Sequence, residues 1–400
     1  MYNKKSKKFF NRYLIIKEKF QMIDPIDRNL CSFSKEKDLE HLHTIKDFPV
    51  FMGCVSTSQK EDIFFDMSWA ISKSSGLVQL DKLIPLDILY QDSHGSGNIG
   101  KIWSEHHESF AKFIYQYNPK KVLEIGGGHG KLSKIYESLA KIDWTIIEPN
   151  PNLDKDNKTK VIKGFFDKSF KKDDSFDTFI HSHVFEHVYD VSSFMEDLNN
   201  FSKEGDKLIF SLPNLEEMVR RKYSNALNFE HTVFLTEPYI EALLANNSFK
   251  IIKKKYFMED HSIFYYAEKI KKVQEIKLSN DLYKKNKKIY LDYISSRKKE
   301  IENINIKINS VNSSVFLFGA HIFSQELITM GLNSKKIKSI LDNDQSKQGK
   351  RLYGTNLYVD SPECLESETT PLVVLKAGVY NKEIKKDILQ NINPKVIFLE

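Results

Sequence analysis

Only three cysteines occur in 400 residues, and Cys31, Cys54 and Cys364 stand far apart in the chain. That excludes a disulfide framework and leaves free thiols in a reducing, cytoplasmic setting as the expectation. Long apolar runs are also missing. Nothing approaches the roughly 18 to 20 residues of a membrane span, and in the basic start, MYNKKSKKFFNRYLIIKEKF, the apolar stretch YLII is far too short for a signal-peptide core. This start reads as a solvated helical extension. Charge of one sign is not in large excess either: 60 basic residues face 54 acidic ones, a net +6, with Lys spread along the whole chain. Such a pattern gives no footprint for nucleic acid. There is no internal repeat and no low-complexity tract. What the chain does have is 40% hydrophobic and 12% aromatic residues, ample for folded cores, and a length that suggests two or three domains.

Three patterns succeed one another. From about 25 to 105 come short mixed elements with polar turns, a small N-terminal module. From about 106 to 268 apolar strands (KVLEIG, DWTIIEP, KVIKGFF, FDTFIHSHV, DKLIFSLPN) alternate with helical stretches, as in a parallel sheet covered by helices. Residues 269–312 have a Lys-, Glu- and Ile-rich pattern without Pro or Gly and predict a long helix or helix pair acting as a spacer. A second α/β unit occupies about 313–400, with strands at SVFLFG, IKSILD, PLVVLKA and KVIFLE. The fold class is α/β.

VLEIGGGHGKL, residues 122–132, ends the first strand of the central unit. A dinucleotide fingerprint spaces its glycines G-x-G-x-x-G. Here they run Gly126, Gly128, Gly130, so the third comes one residue early, and no Lys-Ser/Thr pair makes a phosphate loop. Glu124, two residues before the first glycine, would repel a pyrophosphate but suits an ammonium or sulfonium group. Glu148 closes the next strand, 22 residues after Gly126, and is placed to accept hydrogen bonds from the hydroxyls of a ribose. A nucleoside with a positively charged amino-acid tail fits this pair of charges.

These residues resemble the class I S-adenosylmethionine-dependent methyltransferases, whose first motif is E/D-x-G-x-G-x-G. EIGGGHG matches it, IIEP supplies the ribose acid, and FDTFIHSHVFEHV is similar to the fourth strand, which ends under the methyl group. The resemblance implies a Rossmann-like core with S-adenosylmethionine as cofactor. It also implies that Gly164, Phe165, Phe166 and Asp167 border the adenine. Over nearly the whole chain, the N-terminal module with GLVQLDKLIPLDILY, the core, FEHTVFLT and a C-terminal DNDQSKQGK, Asp342 to Lys350, resemble the three-domain nucleotide-sugar C-methyltransferases. Those enzymes methylate a carbon beside a ketone on a sugar held by a nucleoside diphosphate, and their C-terminal Rossmann-like domain helps hold the substrate.

Two departures from that family stand out. Relatives build a zinc site in the N-terminal module from two C-x-x-C pairs, whereas this chain has Cys31-Ser-Phe-Ser34 and Ser72-Lys-Ser-Ser75. Hydroxyls are poor zinc ligands, so loss of zinc is expected. Relatives also carry Tyr-x-Glu-His in the catalytic loop, where Tyr handles an enolate and His removes the carbon-bound proton. This chain has Asn228-Phe229-Glu230-His231.

The expected chemistry is in-line methyl transfer with His231 as base, oriented by Glu230, and His183 as a second catalytic candidate. Asn228, and His181 on the same strand as His183, are expected at the substrate. In YQDSHGSGNIGKIWSEHHESF, Tyr90, His94 and Ser96 are expected to reach it as well, and of the adjacent His106 and His107 at most one faces the pocket. Glu186 and His187 read as a helix start and packing. The pair His181-x-His183 has no further ligand beside it, so no metal site is expected. Asn228 in place of Tyr favours O-methylation of a nucleoside diphosphate sugar, by a soluble protein acting alone or as a homodimer. C-methylation of a keto-sugar is the runner-up, and a non-catalytic nucleotide-binding scaffold is the alternative from another class.

Overall fold

The computed structural model describes residues 24–90, 101–170 and 176–400. The basic N-terminal extension, His94 and Ser96 lie outside the described residues.

The N-terminal module is built on an antiparallel sheet of β1 (Leu39–Pro49), β2 (Phe64–Ser72) and β3 (Val78–Leu80), in the order β1-β2-β3. Its buried face carries Met67, Trp69, Ile71, Val78 and Leu80.

The central unit begins with α1 (Lys101–Tyr115), which turns Ile102, His106, Phe110 and Ile114 inward at helical spacing. Next come β4 (Lys121–Ile125), α2 (Lys131–Glu137), β5 (Asp143–Glu148), β6 (Lys160–Lys163), β7 (Thr178–Ser182), α3 (Val191–Phe201), β8 (Lys207–Pro213), α4 (Glu237–Asn246), β9 (Phe249–Phe257) and β10 (Ser262–Lys269). The seven strands are ordered β9-β10-β8-β7-β4-β5-β6. β8, β7, β4, β5 and β6 run parallel, and β10 and β9 are antiparallel additions. β4 reads Val122, Leu123, Glu124, Ile125 without alternation because, as a central parallel strand, both its faces are covered.

Chain order leaves β4 toward β5 and β6, then returns to place β7 on the other side of β4. At such a reversal the loops after neighbouring strands part, and a crevice opens beyond their carboxyl ends. The residues at that point are Gly126 after β4 and His183 after β7.

The segment after the central unit forms one long helix that also packs against its neighbours. One helix, α5 (Leu282–Ser310), buries Tyr290, Tyr293, Ile294, Arg297, Ile301, Ile304 and Ile308 along its length. The ring of Tyr290 lies 5.8 Å from that of Trp69 in the N-terminal module, and Arg297 pairs in a fork with Glu326 of the C-terminal unit at 3.0 and 2.6 Å. Where α5 starts, Gly76 (φ +73°) permits close approach, since a Cβ there would sit 2.5 Å from the backbone of Leu282. A composition rich in Lys and Glu conceals this stripe because the apolar residues recur only once per turn.

The C-terminal unit has β11 (Val315–Phe318), α6 (Ile322–Thr329), β12 (Ile337–Leu341), β13 (Val359–Asp360), β14 (Leu372–Leu375), α7 (Asn381–Asp387) and β15 (Ile397–Leu399). Its strands are all parallel, ordered β13-β12-β11-β14-β15. It has its own reversal between β11 and β14. This unit is tied to the N-terminal module by pairing of Cys54–Val55 with Arg351–Leu352, and by the guanidinium of Arg351, which grips both oxygens of the buried Asp62 side chain at 2.6 and 2.8 Å. Breaking a buried pair of this kind costs about 3–5 kcal/mol.

Candidate active site

The two reversals face each other across one cleft of about 860 Å³. The central unit contributes Gly126, Gly128 and His183, and the C-terminal unit contributes Gly319, Asp342 and Ala377.

One wall is the glycine turn. Gly126, Gly128 and Gly130 all have φ between +49° and +73°, where a side chain is strained. They differ in what a Cβ would meet: Val184 at 2.7 Å for Gly126, Asn157 at 2.4 Å for Gly130, and nothing within 4 Å for Gly128. Gly128 thus turns its bare face to the cleft. Glu124 is buried at the base of the turn and accepts a 2.7 Å hydrogen bond from the Trp144 indole N–H. Burial pushes its carboxyl up to about 7, against the Trp144 bond and with help from the charge of Glu148. Glu148 also lines the cleft, and its two oxygens accept the backbone N–H of Gly128 at 3.1 Å and of Asn150 at 3.0 Å. The acid expected at a ribose therefore also fixes the turn, with lone pairs left over on each oxygen. Two carboxylates and an uncovered glycine backbone suit a cationic nucleoside, so the residues present fit S-adenosylmethionine.

None of Gly164, Phe165, Phe166 and Asp167, the residues expected to border the adenine, lines the cleft. Phe166 packs into the core against Phe170, Phe194 and Phe201, while Phe165 is 44% exposed, and neither lines the cleft. Strand alternation after β6 turns one ring in and the other out.

The facing wall holds histidines and carboxylates. His183 adopts φ +55°, the left-handed region that a β-carbon disfavours, at the point where the chain leaves β7. That turn sets its ring 3.3 Å from Glu186 and 3.0 Å from the Ser262 hydroxyl, and burial lowers its pKa to about 3. His181 does not share this face. It is fully buried, stacked on Phe210 with ring centres 4.8 Å apart, and neither ring nitrogen has a hydrogen-bond partner. The two histidines of the H-x-H pair are thus separated, because the left-handed residue at 183 breaks the strand periodicity that would have aligned them. Of the adjacent pair on α1, His107 lines the cleft and His106 is buried beneath it.

His231 lies on a loop that four hydrogen bonds hold. The Asn228 side-chain carbonyl accepts the N–H groups of Glu230 and His231 at 2.8 and 2.9 Å, and residues 232–234 pair with β3 through Leu80 N–H to Thr232 and Phe234 N–H to Val78. Asn228 lines the cleft, yet its oxygen is spent on the loop. Nor does Glu230 orient the imidazole as expected: the Nδ1–H of His231 donates to the Ala226 carbonyl at 2.9 Å, and Glu230 lies 3.7 Å from His187 instead. With Nδ1 carrying the proton, Nε2 holds the lone pair.

Glu186 and His187 are not mere packing. They form a short 3-10 turn after β7 and line the cleft beside His231. Glu186 is fully buried, neither carboxylate oxygen has a hydrogen-bond partner, and burial raises its pKa. The Tyr90 hydroxyl is 3.1 Å from His187 Nδ1, and the Tyr90 carbonyl accepts from Asn150, joining the two walls. The sequence disguises Glu186 because a Glu one residue before a His beside a helix start looks like N-terminal capping. The signal was the phrase HSHVFEH itself, with four ionisable groups within seven residues of a strand end.

In the N-terminal module, the turns at 31–34 and 72–75 do face each other. Cys31 Sγ is 3.3 Å from the Ser75 hydroxyl, and Ser34 and Ser72 both reach Ser74. One thiol and a set of hydroxyls occupy the corner where four thiolates are needed to hold zinc.

Comparison with known proteins agrees with the geometry of the first wall. A family model described as a methyltransferase domain matches residues 102–254. No curated protein matches the chain by sequence. Among solved structures, an S-adenosylmethionine-dependent methyltransferase from Mesorhizobium loti is 12% identical over 43% of this chain and 100% of its own, with a TM-score of 0.35. Human N-acetylserotonin methyltransferase in complex with S-adenosylmethionine is 17% identical over 42% of this chain and 53% of its own, at 0.36. The N-methyltransferase NodS from Bradyrhizobium japonicum WM9 is 12% identical over 44% and 100%, at 0.34. Likeness at TM-scores this low says nothing about the acceptor. Among the described residues no helix is long and apolar enough to cross a membrane. The match over residues 102–254, on a core whose glycine turn and two carboxylates fit the cofactor, makes this protein an enzyme with a methyltransferase domain that uses S-adenosylmethionine.

Proposed function

We propose that the enzyme methylates a hydroxyl of a nucleotide-activated sugar. The observation that carries this reading is the tautomer of His231. Its Nδ1–H is bound to Ala226, so the Nε2 lone pair can take a hydroxyl proton at the cleft. Burial also lowers the His231 pKa, which keeps that lone pair unprotonated at neutral pH, and the nearby charge of Glu186 favours the imidazolium that forms. The cofactor supplies a methyl bound to a positive sulfur; as the new O–C bond forms, the old S–C electron pair stays on sulfur. The protein holds the acceptor oxygen in line and removes its proton.

Support for a nucleotide-linked sugar comes from the cleft's outer side. Lys347, Lys386, Gln390 and Asn391 line it around the second strand reversal, the place where open parallel sheets bind nucleotides. This supports a role for the C-terminal Rossmann-like unit in holding the substrate. The Cys31 corner holds no zinc in this reading.

A second reading, C-methylation of a keto-sugar, draws on Tyr90. Its half-buried hydroxyl, kept neutral by a pKa raised well above the ordinary range, brings a phenol to His187 although Asn228 stands where the family has Tyr. Incubation with a panel of nucleoside diphosphate sugars, read by mass for the gain of one methylene, tests both. A product with its new methyl on oxygen supports the first reading. Exchange of deuterium from heavy water beside the ketone of a 4-keto-sugar nucleotide moves the assignment to the second.

A further inference from the structure

We propose that Glu186, His187 and His231 form a binding site for a divalent transition-metal cation of the zinc class. Sequence spacing hides such a site, because its ligands come from a turn after β7 and from a loop 44 residues on. Their ligand atoms all lie within 4.8 Å of one another, and Glu186 Oε1 is 3.7 Å from His187 Nε2. A cation at about 2.0–2.2 Å from each would draw them together by only small side-chain rotations.

Two further observations point to a cation. Glu186 is fully buried with no hydrogen bond to either oxygen, a state that is costly for a carboxylate unless something offsets its charge. Both ligand imidazoles are already oriented through their other nitrogen: His231 Nδ1 donates to the Ala226 carbonyl, and His187 Nδ1 meets the Tyr90 hydroxyl at 3.1 Å. Metal-bound histidines are fixed in this way, with the far ring nitrogen on a carbonyl or a polar side chain. Two imidazoles and one carboxylate, open on the cleft side, match zinc, cobalt or iron(II) rather than the oxygen-preferring magnesium or calcium.

The site has a consequence for catalysis that rests on the hydroxyl-methylation reading. The Nε2 lone pair of His231 cannot both ligate a cation and accept a proton, so an occupied site inhibits methyl transfer. Binding itself is independent of that reading.

Cobalt(II) is the probe, added to the full chain in the absence of chelator. Visible d–d absorption that saturates at one equivalent is expected, and it should be lost in Glu186→Gln, His187→Ala and His231→Ala. A melting-temperature rise with S-adenosylhomocysteine shows that each variant is folded. Cys31→Ser should keep the absorption, which separates this site from the N-terminal corner. No saturable absorption, or absorption that survives all three ligand substitutions in folded protein, overturns the site. Zinc should then abolish methyl transfer by the wild type, and a chelator should restore it. One-equivalent binding with undiminished turnover upholds the site and rejects His231 as the base.

Discussion

The two walls of the cleft are built on different plans. The cofactor wall is contiguous: Glu124 to Gly130 is one strand end and one turn, and Glu148 reaches in from the neighbouring strand to hold that turn by a backbone bond. The acceptor wall is gathered from Tyr90, the turn at 183–187 and the loop at 228–231, and its ionisable side chains approach one another, Tyr90 and His187 at 3.1 Å and His183 and Glu186 at 3.3 Å. A binding surface for a shared cofactor can be made of backbone, which any sequence with glycines at those places provides. A surface that handles an individual acceptor needs ionisable side chains, and these can come from anywhere in the fold.

Glycine substitutions offer the sharpest break between the walls. Gly128→Val should abolish S-adenosylmethionine binding in a protein that still folds, because its Cβ meets no protein atom and enters the cleft, while the positive φ adds roughly 1–3 kcal/mol of strain. Gly130→Val should instead damage the fold, since its Cβ would sit 2.4 Å from Asn157. Calorimetry with the cofactor and thermal melts separate the two. Normal affinity in folded Gly128→Val protein would remove this turn from the cofactor site.

His231→Ala acts on the other wall alone. Turnover should fall by roughly 10² to 10⁴ with cofactor affinity unchanged. Some rate should persist for an oxygen acceptor, whose proton can leave late in the displacement, whereas a carbon acceptor needs its enolate first and should give none. Equal losses in turnover and cofactor affinity would mean that the walls are not separate.

Glu148→Ala should be milder, because each charge-assisted hydrogen bond lost is worth about 1.5–3 kcal/mol and the turn can relax onto water. Cofactor affinity should fall by roughly tenfold to a hundredfold. An unchanged affinity assigns the ribose to another residue.

This division also explains what the sequence disclosed. The α/β class, the strand alternation and the glycine turn were legible because each is written in a short run of neighbouring residues. His231 was legible through a motif, but its partner was not: Glu230 is next to it in sequence, yet the loop geometry set by Asn228 points Nδ1 at Ala226 instead. The burial of α5 was hidden by its many charges, and the separation of His181 from His183 by a single left-handed residue that no periodicity foretells. Tyr90 was legible as a substrate-side residue, but not its contact with His187, which requires knowing how two distant segments pack.

The smallest effect sharpens the comparison most finely, because it concerns one proton on the cofactor wall. Glu124 has its carboxyl raised to about 7 by burial, above its unfolded value of 4.5. Between those values the folded protein holds a proton that the unfolded chain has released, so this group makes the ligand-free protein less stable as pH rises from about 4.5 through about 7. Binding reverses the preference: a cationic ligand beside Glu124 favours the ionised carboxylate and lowers its pKa. Affinity for S-adenosylmethionine should therefore climb with pH up to about 7 and level off above, at most tenfold per pH unit. Titration calorimetry near neutrality, in buffers of different ionisation enthalpy, should show release of part of a proton per ligand bound. Glu124→Gln keeps an oxygen for the Trp144 N–H but has no proton to release, so the slope and the proton release should vanish together while weaker binding remains. Affinity that is flat across the neutral range in the wild type would place the positive groups of the cofactor away from Glu124 and leave that acid a purely structural support for the turn.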